Sequence, residues 1–280
     1  EIYNFRELRS DLQTRGHTFS TGSDTEVIVH LYEEYGADCV KHLSGMFALA
    51  IWDVRNQRLI LARDRLGIKP LYLSINSERL IFASELKSIL ECPGVEREIC
   101  QPAVNEYLAL GYVPAPLTML QGIEKLQPGT MLIADGNERR FERYWDVSHD
   151  ADDSVDDSDW AGMLRDSMEQ AVVSQMVSDV PLGAFLSGGV DSSAVVAFMA
   201  KNSDKPVKTY SIGFDSDTGG SYYNELPYAR KVAELFNTDH REIVVRPDVT
   251  GLLPDLLWQS LPGRRQEFFQ LMVCLKILLS

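Results

Sequence analysis

The sequence predicts two joined parts of different fold class: an α+β part built on antiparallel sheets with helices, then an α/β part of the doubly wound kind. Three observations carry this. Strand-forming segments joined by short polar turns fill residues 46–83. A strand, a glycine-rich turn and a helix follow one another over residues 180–200, and strand and helix patterns alternate after them. Between the two parts lie Asp150, Asp152, Asp153, Asp156, Asp157 and Asp159. Such a run repels itself and reads as a solvated linker or helix entrance.

In the first part, Asn4 is placed to cap a short helix with apolar positions Phe5, Leu8 and Leu12, closed by Gly16. A second helix opens near Ser23 and Asp24. It carries Val27, Ile28, Leu31, Tyr32 and Tyr35 at helical spacing and ends at Gly36. The period then changes. Residues 46–53 and 58–64 read as strands joined at Arg55, Asn56 and Gln57, and residues 71–75 and 79–83 form another pair around Asn76 and Ser77. Residues 84–110 read as helix in two pieces broken at Pro93 and Gly94. Residues 111–145 are turn-rich, with Pro114, Pro116, Pro128 and Gly129 and a short strand at 130–134.

In the second part, residues 160–176 have helical apolar spacing through Trp160, Met163, Leu164, Met168, Ala171 and Val172. Residues 180–186 read as a buried strand and 194–200 as a helix. A parallel strand at 207–214, a helix at 226–236 and a strand at 242–245 complete the alternation.

A length of 280 residues allows two modest domains. The net charge of −14 argues against a nucleic-acid backbone as main partner. No apolar run is long enough to span a bilayer and no signal peptide opens the chain, so no membrane is implied. Cys39, Cys92, Cys100 and Cys274 show no metal-ligand spacing, which fits reduced thiols in the cytoplasm. The aspartate run lacks the glycine turn of a calcium loop.

The chemistry concentrates at Ser187-Gly188-Gly189-Val190-Asp191-Ser192-Ser193. Glycines let backbone N–H groups approach oxygen with no Cβ in the way. The hydroxyls of Ser187, Ser192 and Ser193 add donors, and the following helix contributes partial positive charge at its N-terminus. Asp191 repels phosphate, so its natural role is to hold Mg²⁺ bridging phosphate oxygens. The loop is neither a Walker A sequence nor a dinucleotide fingerprint. An ordinary tight connection is the plain alternative.

This loop resembles the pyrophosphate loop of the N-type ATP pyrophosphatases. Arg63-Asp64-Arg65-Leu66-Gly67-Ile68-Lys69-Pro70-Leu71-Tyr72 resembles a signature of class II glutamine amidotransferase domains. So do Glu1-Ile2-Tyr3-Asn4, the tail of an N-G-E-I-Y-N motif, and Gly22-Ser23-Asp24-Thr25-Glu26. In this order, over about residues 1–258, the chain resembles the glutamine-hydrolysing asparagine synthetase family. The resemblance implies an N-terminal-nucleophile-type glutaminase domain over 1–145, an acidic linker over 146–158, a truncated ATP pyrophosphatase domain over 159–258, and a divergent tail over 259–280.

It also implies ATP, Mg²⁺, glutamine and aspartate as ligands, and is compatible with a homodimer of the full-length enzyme. Glu1 and Asp24 match the carboxylates that grip the glutamine ammonium. Leu186 and Ile212 match the backbone positions that hold adenine, Ser187, Gly188, Gly189, Asp191, Ser192 and Ser193 the phosphate loop, and Asp191 the Mg²⁺ ligand. The family's cysteine nucleophile and its oxyanion-binding Asn and Gly would precede Glu1, so no catalytic residue is expected within the chain, and the sequence reads as incomplete at both ends. After Trp258 the family's D-E-P-x-x-D-S motif is replaced by Gln259-Ser260-Leu261-Pro262-Gly263-Arg264, and Gln175 stands where relatives carry a basic residue.

Other readings remain open at this stage: an amide synthetase with a different acceptor, or a non-enzymatic ATP-binding remnant. His240 is placed just before a strand. Arg63 and Asp64 are expected to form a structural ion pair.

Overall fold

In the computed structural model, residues 1–136, 138–149, 155–214 and 224–245 are described. The chain divides into two compact units, one ending at His149 and the other following it.

The first unit opens with α1 (Phe5–Thr14) and α2 (Asp24–Tyr35), and a 3-10 segment follows at Gly36–His42. The strands β1 (Ala48–Asp53), β2 (Arg58–Arg63), β3 (Tyr72–Ile75) and β4 (Leu80–Ala83) come next. They are followed by α3 (Leu86–Leu90), α4 (Gln101–Leu110), β5 (Glu124–Lys125), β6 (Thr130–Asp135) and β7 (Glu138–Arg143). The strands form two antiparallel sheets, ordered β1-β2-β6-β7 and β4-β3-β5. The two hairpins adjacent in sequence thus lie in different sheets.

Strand alternation explains the layering. Ile60, Ala62, Met131 and Ile133 pack with Leu12, Val27, Leu31, Cys39, Val40 and Leu43 under the helices. Their neighbours Leu61 and Leu132 face the other way and pack with Leu71, Leu73 and Leu126. Tyr72, between Leu71 and Leu73, packs with Leu86, Ile89 and Ile123 on the outer side of the second sheet. The result is a helix–sheet–sheet–helix stack. Each fully buried aliphatic side chain in it contributes about 1.5–3 kcal/mol.

The turns follow the expected punctuation, with one correction. Gly16 sits at φ 96° and Gly36 at φ 58°, and Ser23 caps α2 by accepting the Thr25 amide. Asn4 makes no cap bond. Its side chain instead accepts from the Ser44 amide and donates to the His42 carbonyl, each at 2.9 Å. The first residues are thereby fastened to the segment before β1, where loop backbone groups need partners. A Cβ on Gly45 would lie 2.2 Å from the Glu1 carbonyl oxygen, so only glycine permits this approach.

The second unit comprises α5 (Asp157–Ser174), β8 (Gly183–Phe185), α6 (Val190–Lys201), β9 (Lys208–Phe214), α7 (Leu226–Leu235) and β10 (Asp239–Val245). Its strands are parallel, ordered β8-β9-β10, with Leu186, Val196, Ala229 and Ala233 packed between sheet and helices. This is one wing of a doubly wound sheet. Three boundaries differ from expectation. The strand expected over 180–186 shortens to three residues, because its partner β9 pairs with it only there. The helix begins at Val190, so Asp191 and Ser192 lie inside its first turn. The last strand begins at Asp239, so His240 lies within it, bonded to Thr209 at 2.9 Å. The amphipathic spacing of α5 does not produce a buried face: Trp160, Met163 and Leu164 are exposed. Asp150, Asp152, Asp153, Trp258 and the 259–280 tail lie outside the described residues. No helix among the described residues is long and apolar enough to cross a membrane.

Candidate active site

A cleft of about 300 Å³ opens in the first unit, and Glu1 and Asp24 both line it. Its other walls are Ile2, Thr25, Ile28, Met46, Phe47, Ala48, Leu49, Lys69, Pro70 and Ser84. The two carboxylates matched on sequence grounds are therefore brought to one cavity by two different elements. Glu1 comes from the segment laid across Gly45, and Asp24 from the first turn of α2. Asp24 also has a structural bond: its Oδ2 accepts the Ile2 amide at 2.8 Å.

Glu26, in the same motif, turns away from any ligand role. Its carboxylate accepts from the Thr21 hydroxyl at 2.5 Å and from the amides of Ser20 and Thr21 at 2.7 and 2.8 Å. The Thr21 hydroxyl, then the Ser20 amide, hold its carboxyl down at about 2. Glu26 thus clamps the loop that delivers Ser23 and Asp24.

Arg63 and Asp64 are not ion-paired, which corrects the expectation. Asp64 is buried and accepts the amides of Phe47, Ile68 and Lys69 at 3.2, 2.9 and 2.9 Å. Arg63 donates to the carbonyls of Lys69, Leu126 and Gly67 at 2.8, 2.7 and 2.6 Å. The two side chains point into separate sets of backbone groups, and together they fix the loop that carries Lys69 and Pro70 to the cleft. The sequence motif was visible, but its scaffolding role depends on loop carbonyls that only the fold assembles.

No described cysteine lines the cleft. Cys39 lies in the core under the helices, and burial pushes its thiol up to about 12, so it is inert there.

In the second unit the glycine–serine loop joins β8 to α6. Gly188 has φ 80°, and Gly189 occupies the N-cap of α6. The Ser187 and Ser192 hydroxyls bond each other at 2.9 Å, and Ser193 donates to the Gly189 carbonyl at 2.6 Å. These bonds hold the loop closed around the first amides of α6, which lack helical partners. Asp191 is exposed in that first turn. Leu186 is buried at the end of β8. Its amide donates to Tyr210, and its carbonyl accepts from the Ser211 hydroxyl. Ile212 lies in β9, half-buried.

Comparison with known proteins bears on both units. Residues 1–145 match the glutamine amidotransferase domain model, and residues 163–277 match the asparagine synthase model. The second match runs past Trp258 into residues outside the described set. The chain belongs to the glutamine-hydrolysing asparagine synthetase family, with an amidotransferase domain followed by an asparagine synthase domain. It is 37% identical over 279 residues to glutamine-hydrolysing asparagine synthetase 3 of Bacillus subtilis (strain 168), covering 94% of this chain and 45% of that protein. Asparagine synthetase 1 of the same organism is 35% identical over 260 residues, covering 92% of this chain and 40% of that protein. Amidase chry2 of Gibberella zeae is 32% identical over 280 residues, covering 93% and 40%. The chain thus spans less than half the length of these relatives.

Proposed function

We propose that this chain supplies the glutamine pocket and the phosphate loop of a ligase. That ligase makes asparagine from glutamine, aspartate and ATP, releasing glutamate, AMP and pyrophosphate. The observation that carries the reading is the order of the two matched domains, with Glu1 and Asp24 sharing one cleft in the first. A charged pair of this kind suits the ammonium of an amino acid, and charge-assisted bonds make it selective. Ile28, Phe47 and Leu49 supply apolar wall against the side-chain methylenes. The attacking thiol is not among the described residues. The family resemblance assigns it to an N-terminal cysteine.

In the second unit, the first amides of α6 would cradle phosphate, joined by the Ser192 and Ser193 hydroxyls once these turn from Ser187 and the Gly189 carbonyl towards the ligand. A single exposed carboxylate in that turn fits Mg²⁺, which takes one or two carboxylates and fills its remaining positions with phosphate oxygens and water. Asp191 would hold the ion, whose charge offsets that of the phosphates. Of the Leu186 backbone groups, the amide is committed to Tyr210, whereas the carbonyl keeps a second lone pair. The carbonyl is therefore the group that would receive the adenine amino hydrogen, beside Ile212.

The similarity to an amidase favours a second reading, the same chemistry on another carboxylic-acid acceptor. Pyrophosphate release from ATP and Mg²⁺, with glutamine and a panel of acids, tests both on the protein that carries this chain. Release that depends on aspartate and is lost in Asp191→Ala supports asparagine formation. Dependence on a different acid assigns the second reading, and no release with any acid leaves a binding remnant and overturns both.

A further inference from the structure

Outside the cleft and the loop, one cluster brings metal-binding atoms together: His17, His30 and Glu33. His17 is delivered by the turn that ends α1. There Gly16 takes φ 96° and the His17 amide bonds back to the Leu12 carbonyl at 3.1 Å. His30 and Glu33 are one helical step apart on α2, so both face the end of α1. The His17 and His30 Nδ1 atoms are 3.1 Å apart, His30 Nδ1 is 3.0 Å from Glu33 Oε2, and His17 Nδ1 is 3.4 Å from the same oxygen. Ligand atoms at about 2.0–2.1 Å from a tetrahedral Zn²⁺ are about 3.3–3.4 Å from one another. The triangle is close to one face of such a tetrahedron.

Proton bookkeeping points the same way. His17 Nε2 lies 2.9 Å from Glu34 Oε1, a bond that needs the proton on Nε2 and leaves Nδ1 of the neutral ring with a lone pair. That lone pair faces His30 Nδ1 and a carboxylate oxygen. One proton on His30 Nδ1 can serve the two edges that meet there, but not the edge between His17 and Glu33. A cation at the centre satisfies all three. The outer nitrogen of His17 has a carboxylate partner, Glu34, whereas Glu26 stands 4.0 Å from His30 Nε2, beyond hydrogen-bond reach. A carboxylate behind a ligating histidine is the usual outer support of a zinc site. The histidine side chains are 14% and 16% exposed and that of Glu33 57%, so the site opens to solvent on the glutamate side and leaves room for a fourth ligand.

We propose that His17, His30 and Glu33 form a binding site for a divalent transition metal, Zn²⁺ by its donor set, that clips the end of α1 to α2. Two imidazoles and one carboxylate suit Zn²⁺ and its neighbours in the first transition row better than Mg²⁺ or Ca²⁺. Because α2 carries Asp24 in its first turn, the clip would stiffen the helix that presents a cleft carboxylate. The site stands apart from any role in glutamine or ATP chemistry.

The test is titration of the metal-stripped chain with Zn²⁺ against a chromogenic chelator, and with Co²⁺ followed by visible absorption. One equivalent is expected, with the absorption of tetrahedral Co²⁺ bearing nitrogen and oxygen ligands. His30→Ala and Glu33→Gln should each weaken binding at least about ten-fold, and Glu34→Gln by about ten-fold through lost orientation of His17. Zn²⁺ should raise the melting temperature of the wild-type chain and not that of His30→Ala. Glu33 is exposed, so Glu33→Gln gives a readout even if His30→Ala disturbs folding. Absence of stoichiometric binding, binding unchanged in both variants, or a thiolate charge-transfer band on Co²⁺ would each overturn the proposal.

Discussion

Gly188 and Tyr228 approach so closely that a Cβ on the glycine would lie 2.4 Å from the Tyr228 carbonyl carbon and 2.5 Å from its Cβ. The glycine–serine loop is thus wedged against the first turn of α7, with its Gly188 held at φ 80°. Alanine there meets both a backbone collision and a left-handed conformation, at a combined cost of about 2–4 kcal/mol. Gly188→Ala should therefore unfold at lower urea than wild type and lose ATP binding. Gly189 meets only the Ser187 hydroxyl oxygen, at 3.4 Å. Gly189→Ala should cost under about 1 kcal/mol, the scale of a helix-cap change. Equal destabilisation by the two substitutions would contradict this account of the loop.

Asp64 anchors the first unit through three backbone amides. Each buried donor left without a partner costs about 1–3 kcal/mol. Asp64→Ala should therefore destabilise the first unit by about 3 kcal/mol or more, read by chemical denaturation. A loss below about 1 kcal/mol would mean that water replaces the carboxylate readily.

Lys125 gives a pH signature. Its ammonium donates to the Val113 carbonyl at 2.5 Å, and burial, then the nearby Arg63 charge, lowers it from 10.5 to about 8. Between those values the folded chain has released this proton while the unfolded chain still holds it. By linkage, this group makes stability rise as pH increases from about 8 towards 10.5. Unfolding curves across that window should show the rise in the wild type and a flatter profile in Lys125→Met. Identical pH slopes would remove Lys125 as the cause.

The sequence made some of this plain and hid the rest for physical reasons. The hairpin of β1 and β2 and both ends of α2 were legible because alternation, a serine cap and a glycine stop are local signals. That β2 also pairs with β6, Ile60 opposite Ile133, is a long-range choice that no local pattern announces. β7 escaped notice because Glu138, Arg139, Arg140, Glu142 and Arg143 give it no apolar alternation. In the candidate site, Glu1 and Asp24 could be matched by motif and the structure places both at the cleft. Glu26 and Asp64 carry equally visible carboxylates, but their bonds go to loop amides, and sequence does not say which way a carboxylate will turn. The His17–His30 pairing likewise depends on how α1 packs on α2.

Asp24 is where the proposed glutamine pocket meets the fold, since the same carboxylate holds Ile2 and its residue lines the cleft. Asp24→Asn keeps an acceptor oxygen for the Ile2 amide and removes the charge, so it separates the two roles. The most direct measurement is calorimetric titration of the chain with L-glutamine, wild type against Asp24→Asn, with melting curves of both. One glutamine per wild-type chain is expected, with affinity reduced at least about ten-fold in the variant, consistent with a charge-assisted bond worth about 1.5–3 kcal/mol, and with matching melts. No glutamine binding by the wild type, or equal binding by both, would contradict this reading of the cleft.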